Sequence, residues 1–448
     1  MTPRIALKRT SEQGTASPNW TVWRKTGAVL LVILVLPLGC TILPGHWRPG
    51  WNEDWRDKGV PPDTAASWRL SEQETQDGRF VGLALSGGGS RSANFSAAVM
   101  LELQRLGILD QVDVISAVSG GALTAAYYGL GPANAGPFTE QALRDALVYD
   151  FQGTWLWRWF LPQNIFRFWL SDFTRSDIMV QVFNDHLFRH KTFADLRSHP
   201  KILINATLRN DHTRFTFTDD RFRTLHSNLG RYQVADAVNA SSAFPGIMDD
   251  VTLQHYTDLP QYLHLYDGGP KDNLGVQALM EFLIRTVAGT NLDTLFPKGC
   301  VIIIVDASPV SHNDRLADRD SDRTVLDYFI NTNAIDATDV MLGDLRERLL
   351  KETGIKSVDR EVSGEVQLPD PHACRCEVRH VALRHLLYRD DLPDEDDAFV
   401  ARVTRIKTKF WVSPYEQDDL FRAAKLLVAE LAESKLLSGN ATKTKCGP

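Results

Sequence analysis

The chain has 448 residues, 43% of them hydrophobic and 23% charged, proportions of an ordinary globular protein that exclude wholesale disorder and fibrous repeats. Lysine and arginine number 49 against 56 acidic residues, a net charge of −7; without a basic surplus, nucleic acid is not expected as a partner. Five cysteines cannot staple a chain of this length, so a hydrophobic core must hold it.

The amino end is basic, with Arg4, Lys8, Arg9, Arg24 and Lys25 against the single acid Glu12, and an uncharged run follows from Gly27 to Leu43. That order is the pattern of a secretory signal. The run also reaches the lower limit for crossing about 30 Å of hydrocarbon. Leu36-Pro37-Leu38-Gly39-Cys40 resembles a bacterial lipoprotein cleavage box, in which the cysteine becomes the lipidated first residue. Residues 1–45 are therefore expected to be a signal or anchor, through a lipid on Cys40 or an uncleaved helix, giving a membrane-associated protein of the cell envelope. Residues 46–77, with Trp47, Pro49, Gly50 and Trp51 near their start, read as a linker.

At Phe80 the character changes. Phe80 to Leu85 is a short apolar run, as expected of a strand buried on both faces, and Ser86-Gly87-Gly88-Gly89-Ser90 breaks it. Phe95, Ala98, Val99, Leu103 and Leu106 then form a helical stripe ending at Gly107. Val112 to Val118 reads as a second strand, Ser119-Gly120-Gly121 as a turn, and the small and aromatic residues to Tyr128 as a helix. This βαβα order predicts a mostly parallel sheet covered by helices on both faces, a three-layer α/β/α fold with function gathered at the carboxyl ends of the strands.

Further strands are expected over Lys201–Thr207, Tyr262–Tyr266 and Val301–Val305. Ser413-Pro414-Tyr415-Glu416 is a capping box with proline at the first helical position, opening a helix to about Leu437. Residues 438–448 read as a flexible tail, and the charged stretches Asn313–Arg323 and Asp390–Asp397 as solvated loops.

Ser119 lies between a strand and a helix beside two glycines, the logic of a nucleophile elbow, although Ala117 stands where that motif has its first glycine. The plainer reading is a helix N-cap serine. Gly87, Gly88 and Gly89 can turn consecutive N–H groups toward one point, which suits an anion or a developing oxyanion. The P-loop and dinucleotide patterns are not met. Arg91 is a candidate either for holding the loop backbone or for meeting a lipid head group. Asp267 ends an apolar strand before two glycines, where an aspartate is often only a turn former.

These motifs together resemble the patatin-like phospholipases. Gly87-Gly88-Gly89-Ser90-Arg91, Val118-Ser119-Gly120-Gly121, Ala240-Ser241-Ser242-Ala243-Phe244-Pro245-Gly246 and Asp267-Gly268-Gly269-x3-Asn273 stand in that family's order, with Ala117, Ser92 and Ala97 where it usually has glycine. Lys407-Thr408-Lys409-Phe410 and the Ser413 helix are similar to the carboxyl end of bacterial members, so a catalytic domain is expected over 78–437. The resemblance implies a serine lipid acyl hydrolase with Ser119 as nucleophile and Asp267 as base. Amides of the glycine loop would form the oxyanion hole, and neither metal nor cofactor is needed. A carboxyl group of ordinary pKa ~3.9 is a poor base, so its site must be desolvated. The expected partners are a phospholipid or other acyl-lipid substrate and a membrane surface; no protein partner is inferred.

Three alternatives stay open: a non-catalytic lipid-binding envelope protein of the same fold, an acyltransferase using the same dyad, and assistance from His255 or His264. Trp155, Trp157, Trp159, Phe160, Phe166, Phe168 and Trp169 crowd together with Arg158 and Arg167, either as a packed insert or as a lipid-facing surface. His372, Cys374 and Cys376 alternate as one face of a strand would, with structural roles expected over a metal site. The pairing of Cys300, Cys374, Cys376 and Cys446 is left open.

Overall fold

The computed structural model describes residues 51–54, 68–257, 261–309, 333–356, 361–368, 375–389, 391–393 and 396–433. The expected anchor with Cys40, the charged stretch 313–323, His372, Cys374 and the tail lie outside them. The apolar runs become the centre of one sheet. Its strands are β1 (Phe80–Leu85), β2 (Val114–Val118), β3 (Lys201–Leu208), β4 (Thr213–Thr216), β5 (Val251–His255), β6 (Gln261–Tyr266), β7 (Cys300–Asp306), β8 (Ser363–Gln367) and β9 (Arg375–Ala382). Their order is β5-β6-β3-β2-β1-β7-β9-β8, with β4 also paired to β3. The central run from β3 to β9 is parallel, whereas β4, β5, β6 and β8 join antiparallel at the margins. The sheet is mixed and mostly parallel.

Side-chain alternation explains why the central strands read as unbroken apolar runs. Val81, Leu83 and Leu85 of β1 belong to one core, while Phe80 and Ala84 belong to the other. Val301, Ile303 and Val305 of β7 are likewise divided from Cys300, Ile302 and Ile304. The first core is covered by helices α1 (Gly89–Arg105) and α2 (Gly120–Asn134) and by a later helix over Pro414–Glu433. The second lies under a helix over Val276–Val287, whose Leu279, Phe282 and Leu283 are fully buried, and the last turns of a helix over Asn333–Glu352. Each such side chain contributes roughly 1.5–3 kcal/mol relative to exposure. Gly82 permits the approach of the second layer, since a Cβ there would stand 2.9 Å from both methyl carbons of Leu279. The result is the expected three-layer α/β/α fold.

Between α2 and β3 the aromatic-rich stretch forms helices α3 (Phe151–Trp159) and α4 (Pro162–Leu170). It divides by face. Trp155 is fully buried and its Nε1 donates to the Arg175 carbonyl, whereas Trp157 is 68% and Trp169 77% exposed, beside exposed Phe160, Ile165 and Phe168. After β4 comes helix α5 (Val234–Ser242); the Val276–Val287 helix is α6, Asn333–Glu352 is α7 and Pro414–Glu433 is α8. The expected capping box opens α8: the Ser413 amide donates to Glu416 Oε2 at 2.7 Å and the Glu416 amide to Ser413 Oγ at 3.2 Å.

One stretch departs from the sequence reading. Parts of the expected linker pack onto the domain. Asn52 exchanges hydrogen bonds with the Gln254 backbone at 2.7 and 2.9 Å, and Trp68 and Leu70 join the second core. Proline and tryptophan composition hid these docked pieces. Cys376 has the structural role expected of it, and the pairing left open by the sequence is a disulfide with Cys300, between residues whose Cα atoms lie 4.8 Å apart on the adjacent strands β7 and β9.

Candidate active site

Ser119 stands in the turn from β2 into α2, with φ 50° and ψ −121°. Positive φ costs a side-chain-bearing residue energy and persists only where the surroundings enforce it. Here a hydrogen-bonded floor does so. The Ser119 amide donates to Ser241 Oγ at 2.8 Å, and that hydroxyl donates to the Asn205 carbonyl at 2.5 Å. Asn205 Nδ2 in turn donates to Ser116 Oγ at 2.9 Å and to the Ala117 carbonyl at 3.1 Å. The departures from glycine at Ala117 and Ser92 are accommodated: Ala117 is buried in the first core and Ser92 Oγ donates to the Ser86 carbonyl.

Asp267 follows β6. Its amide donates to the Ala243 carbonyl at 3.0 Å, and Gly268 donates to the Ser241 carbonyl at 3.2 Å. The end of α5 therefore holds both the serine turn and the aspartate turn. Asp267 Oδ1 accepts the Gly269 amide at 2.7 Å, and the Thr207 hydroxyl donates to the Asp267 carbonyl at 2.8 Å. Ser119 and Asp267, 5% and 6% exposed, line one cavity of about 230 Å³ with Gly87, Gly88, Arg91, Asn273, Arg346, Arg384 and Thr408.

The glycine loop lies against the serine turn. A Cβ on Gly120 would stand 2.0 Å from the Gly89 carbonyl oxygen, and one on Gly89 would stand 2.3 Å from the Lys409 carbonyl oxygen. Gly88 and Gly89 have φ of 135° and 59°. Their amides donate to no acceptor among the described residues. The Gly87 amide differs from expectation. It donates to the Asn273 carbonyl at 2.9 Å and is not available to an oxyanion. Sequence reading missed Gly120, the residue after the serine, whose amide also lacks an acceptor among the described residues.

Arg91 takes the backbone-holding role. It is 1% exposed, with Nε donating to the Ala307 carbonyl and Nη1 to the Ile406 carbonyl, each at 2.6 Å. The segment around Lys409 is the outer wall of the loop, its carbonyl accepting the Ser90 amide at 2.8 Å. His264 lies outside the cavity, its Nδ1 3.3 Å from Asp250 and 3.2 Å from Thr252 Oγ1. His255 also lies outside, its ring edge-on to His226.

Residues 83–280 match the family model Patatin-like phospholipase. The matched segment runs from β1 through the glycine loop, Ser119 and Asp267 into α6. No curated protein matches the chain. Among solved structures, the human GIVD cytosolic phospholipase A2 is similar at 11% identity and TM-score 0.49, over 85% of this chain and 66% of that one, slightly under two thirds of its length. VipD from Legionella pneumophila is similar at 11% identity and TM-score 0.33, over 80% of this chain and 67% of that one.

Proposed function

We propose that the protein is a serine lipid acyl hydrolase that cleaves carboxylic esters of phospholipids or related acyl lipids. The observation that carries this reading is the strained Ser119 in one buried cavity with Asp267, facing a glycine loop whose Gly88 and Gly89 amides have no other acceptor among the described residues. The family match over residues 83–280 supports it. Ser119 Oγ attacks the ester carbonyl while Asp267 takes its proton. The carbonyl oxygen becomes an oxyanion under the amides of Gly88 and Gly89, with Gly120 as a third donor. Collapse expels the alcohol, which receives the proton from Asp267, and leaves an acyl group on Ser119. Water then attacks the acyl-enzyme with Asp267 again as base, releasing the fatty acid.

The exposed Trp157, Phe160, Ile165, Phe168 and Trp169 support a membrane surface as the place of action, because apolar patches of this kind fit a lipid interface. Their helix pair is tied to the cavity wall: Gln152 of α3 accepts the Phe410 amide at 3.2 Å, two residues from the cavity-lining Thr408. The buried Cys300–Cys376 disulfide supports an oxidising compartment, in keeping with an envelope protein directed by its amino-terminal segment. Among the described residues no helix is long and apolar enough to cross a membrane.

A fluorophosphonate probe tests the central reading. It should label the wild type and spare Ser119→Ala, and an unlabelled wild type that hydrolyses no acyl ester overturns the proposal.

A further inference from the structure

Outside the family-matched segment, α7 brings Arg346 to the wall of the same cavity. Arg346 is 3% exposed, and its Nε donates to Asp306 Oδ2 at the carboxyl end of β7. The same Oδ2 lies 3.1 Å from His380 Nε2, and Oδ1 accepts the Ser308 amide at 2.9 Å. Burial alone would raise the Asp306 carboxyl, but Arg346 and then His380 outweigh it and hold it well below the usual carboxylate range. Asp306 is thus a fixed anion with both oxygens occupied, and it locks the guanidinium in one orientation.

That lock leaves Arg346 Nη2 buried with no hydrogen-bond partner. An arginine needed only to neutralise Asp306 would be expected to present its fork to both carboxylate oxygens. Here His380 and Ser308 occupy the remaining positions, and the guanidinium keeps unused donor capacity in a wall of the cavity that Ser119 and Asp267 also line. The charge of the wall points the same way. Among the described residues, Arg91, Arg346 and Arg384 line it against the single carboxylate Asp267, with Asp306 behind. An apolar acyl chain or a neutral glycerol has no use for such a surplus, whereas the phosphate of a phospholipid lies only a few bonds from its acyl ester.

We propose that Arg346, positioned by Asp306 and His380, binds the phosphate of the substrate's head group, so that the cavity selects phosphate-bearing acyl esters over neutral glycerides. The proposal rests on the hydrolase reading above and deepens it.

The test compares a lysophospholipid with a monoacylglycerol of the same acyl chain, for the wild type, Arg346→Lys and Arg346→Met. A lost charge-assisted hydrogen bond should lower the phospholipid-to-glyceride ratio of kcat/KM by ~10–100-fold in Arg346→Met, and by less in Arg346→Lys. A ratio within about twofold of wild type, or equal loss on both esters, overturns it. Because Arg346→Met strands a buried carboxylate, Asp306→Asn/Arg346→Met is measured beside it and should show the same changed ratio.

A binding measurement separates the two readings. Glycerol 3-phosphate should raise the wild-type melting temperature where glycerol does not, Arg346→Met should lose that shift and Arg346→Lys keep part of it; a full shift retained in Arg346→Met overturns the anion site. A rise given equally by inorganic phosphate, with an unchanged ester ratio, also overturns it as a head-group site. Wild type that cleaves neither ester, yet shows an Arg346-dependent shift, defeats the hydrolase reading while upholding the anion site.

Discussion

The hydroxyl of Ser241 accepts a hydrogen bond from the backbone N–H of Ser119 at 2.8 Å and donates one to the carbonyl of Asn205 at 2.5 Å. One side chain on α5 therefore holds the serine turn to the neighbouring strand. Ser241→Ala leaves the amide under the nucleophile unpaired, at a cost of ~1–3 kcal/mol. Fluorophosphonate labelling should slow about tenfold or more while the fold persists, as read by circular dichroism. Labelling at the wild-type rate would remove Ser241 from the positioning role.

Ser119→Ala and Asp267→Asn should each abolish ester hydrolysis, whereas His264→Ala should retain it, because His264 is engaged with Asp250 and Thr252 away from the cavity. Gly88→Ala should lower kcat by ~10²–10³. At φ 135° a side chain is strained, and its Cβ would stand 2.8 Å from Arg91 Nη2. Steady-state kinetics on one soluble ester checks all four variants.

The site was legible only in part, and the reason is distance along the chain. Ser119, Asp267 and the glycines announce themselves by their turns, and the apolar runs of β1, β2, β3 and β7 by burial on both faces. Strand β8, reading Ser-Gly-Glu-Val-Gln, has a single large apolar residue because it lies at the sheet margin. Asp306 and Arg346 sit 40 positions apart with no local pattern, so their meeting depends on how α7 returns to the sheet. The Gly87 amide, expected to face a ligand, is taken by Asn273 through a contact that no spacing rule reveals.

The disulfide gives a stability prediction. Cys300 and Cys376 close a loop of sequence separation 76, for which the entropic model gives ~4 kcal/mol. Cys300→Ala, Cys376→Ala and the double variant should each lose about 2–5 kcal/mol in chemical unfolding, with no further loss in the double. Additive losses would show that the two thiols act separately.

Burial pushes the Asp236 carboxyl up to about 8, with the Asp177 charge adding to it, and Asp177 is itself raised by burial to about 7. A carboxyl whose folded value exceeds its unfolded one is protonated longer in the native state. Stability therefore falls as pH rises from about 4 to 8. Asp236→Asn mimics the protonated form and should melt higher than wild type at pH 8 with a smaller difference at pH 5; for a domain of this size each ~1 kcal/mol gained corresponds to roughly 1–2 °C. A difference independent of pH would assign the titration elsewhere.

Replacing Trp157 and Trp169 together by alanine should weaken partitioning onto phospholipid vesicles without lowering the melting temperature, since both rings are largely exposed. Unchanged sedimentation with vesicles would remove this face from membrane contact.

The apposition of Gly89 and Gly120 bears on how the sequence can vary. A would-be Cβ on Gly120 stands 2.0 Å from the Gly89 carbonyl oxygen and one on Gly89 stands 2.3 Å from the Lys409 carbonyl oxygen, so neither position can gain a methyl unless the main chain facing it moves. A saturation library selected for turnover should return glycine at both positions, and paired exchanges should fare no better than single ones, because a collision with main-chain atoms offers no neighbouring side chain to trim.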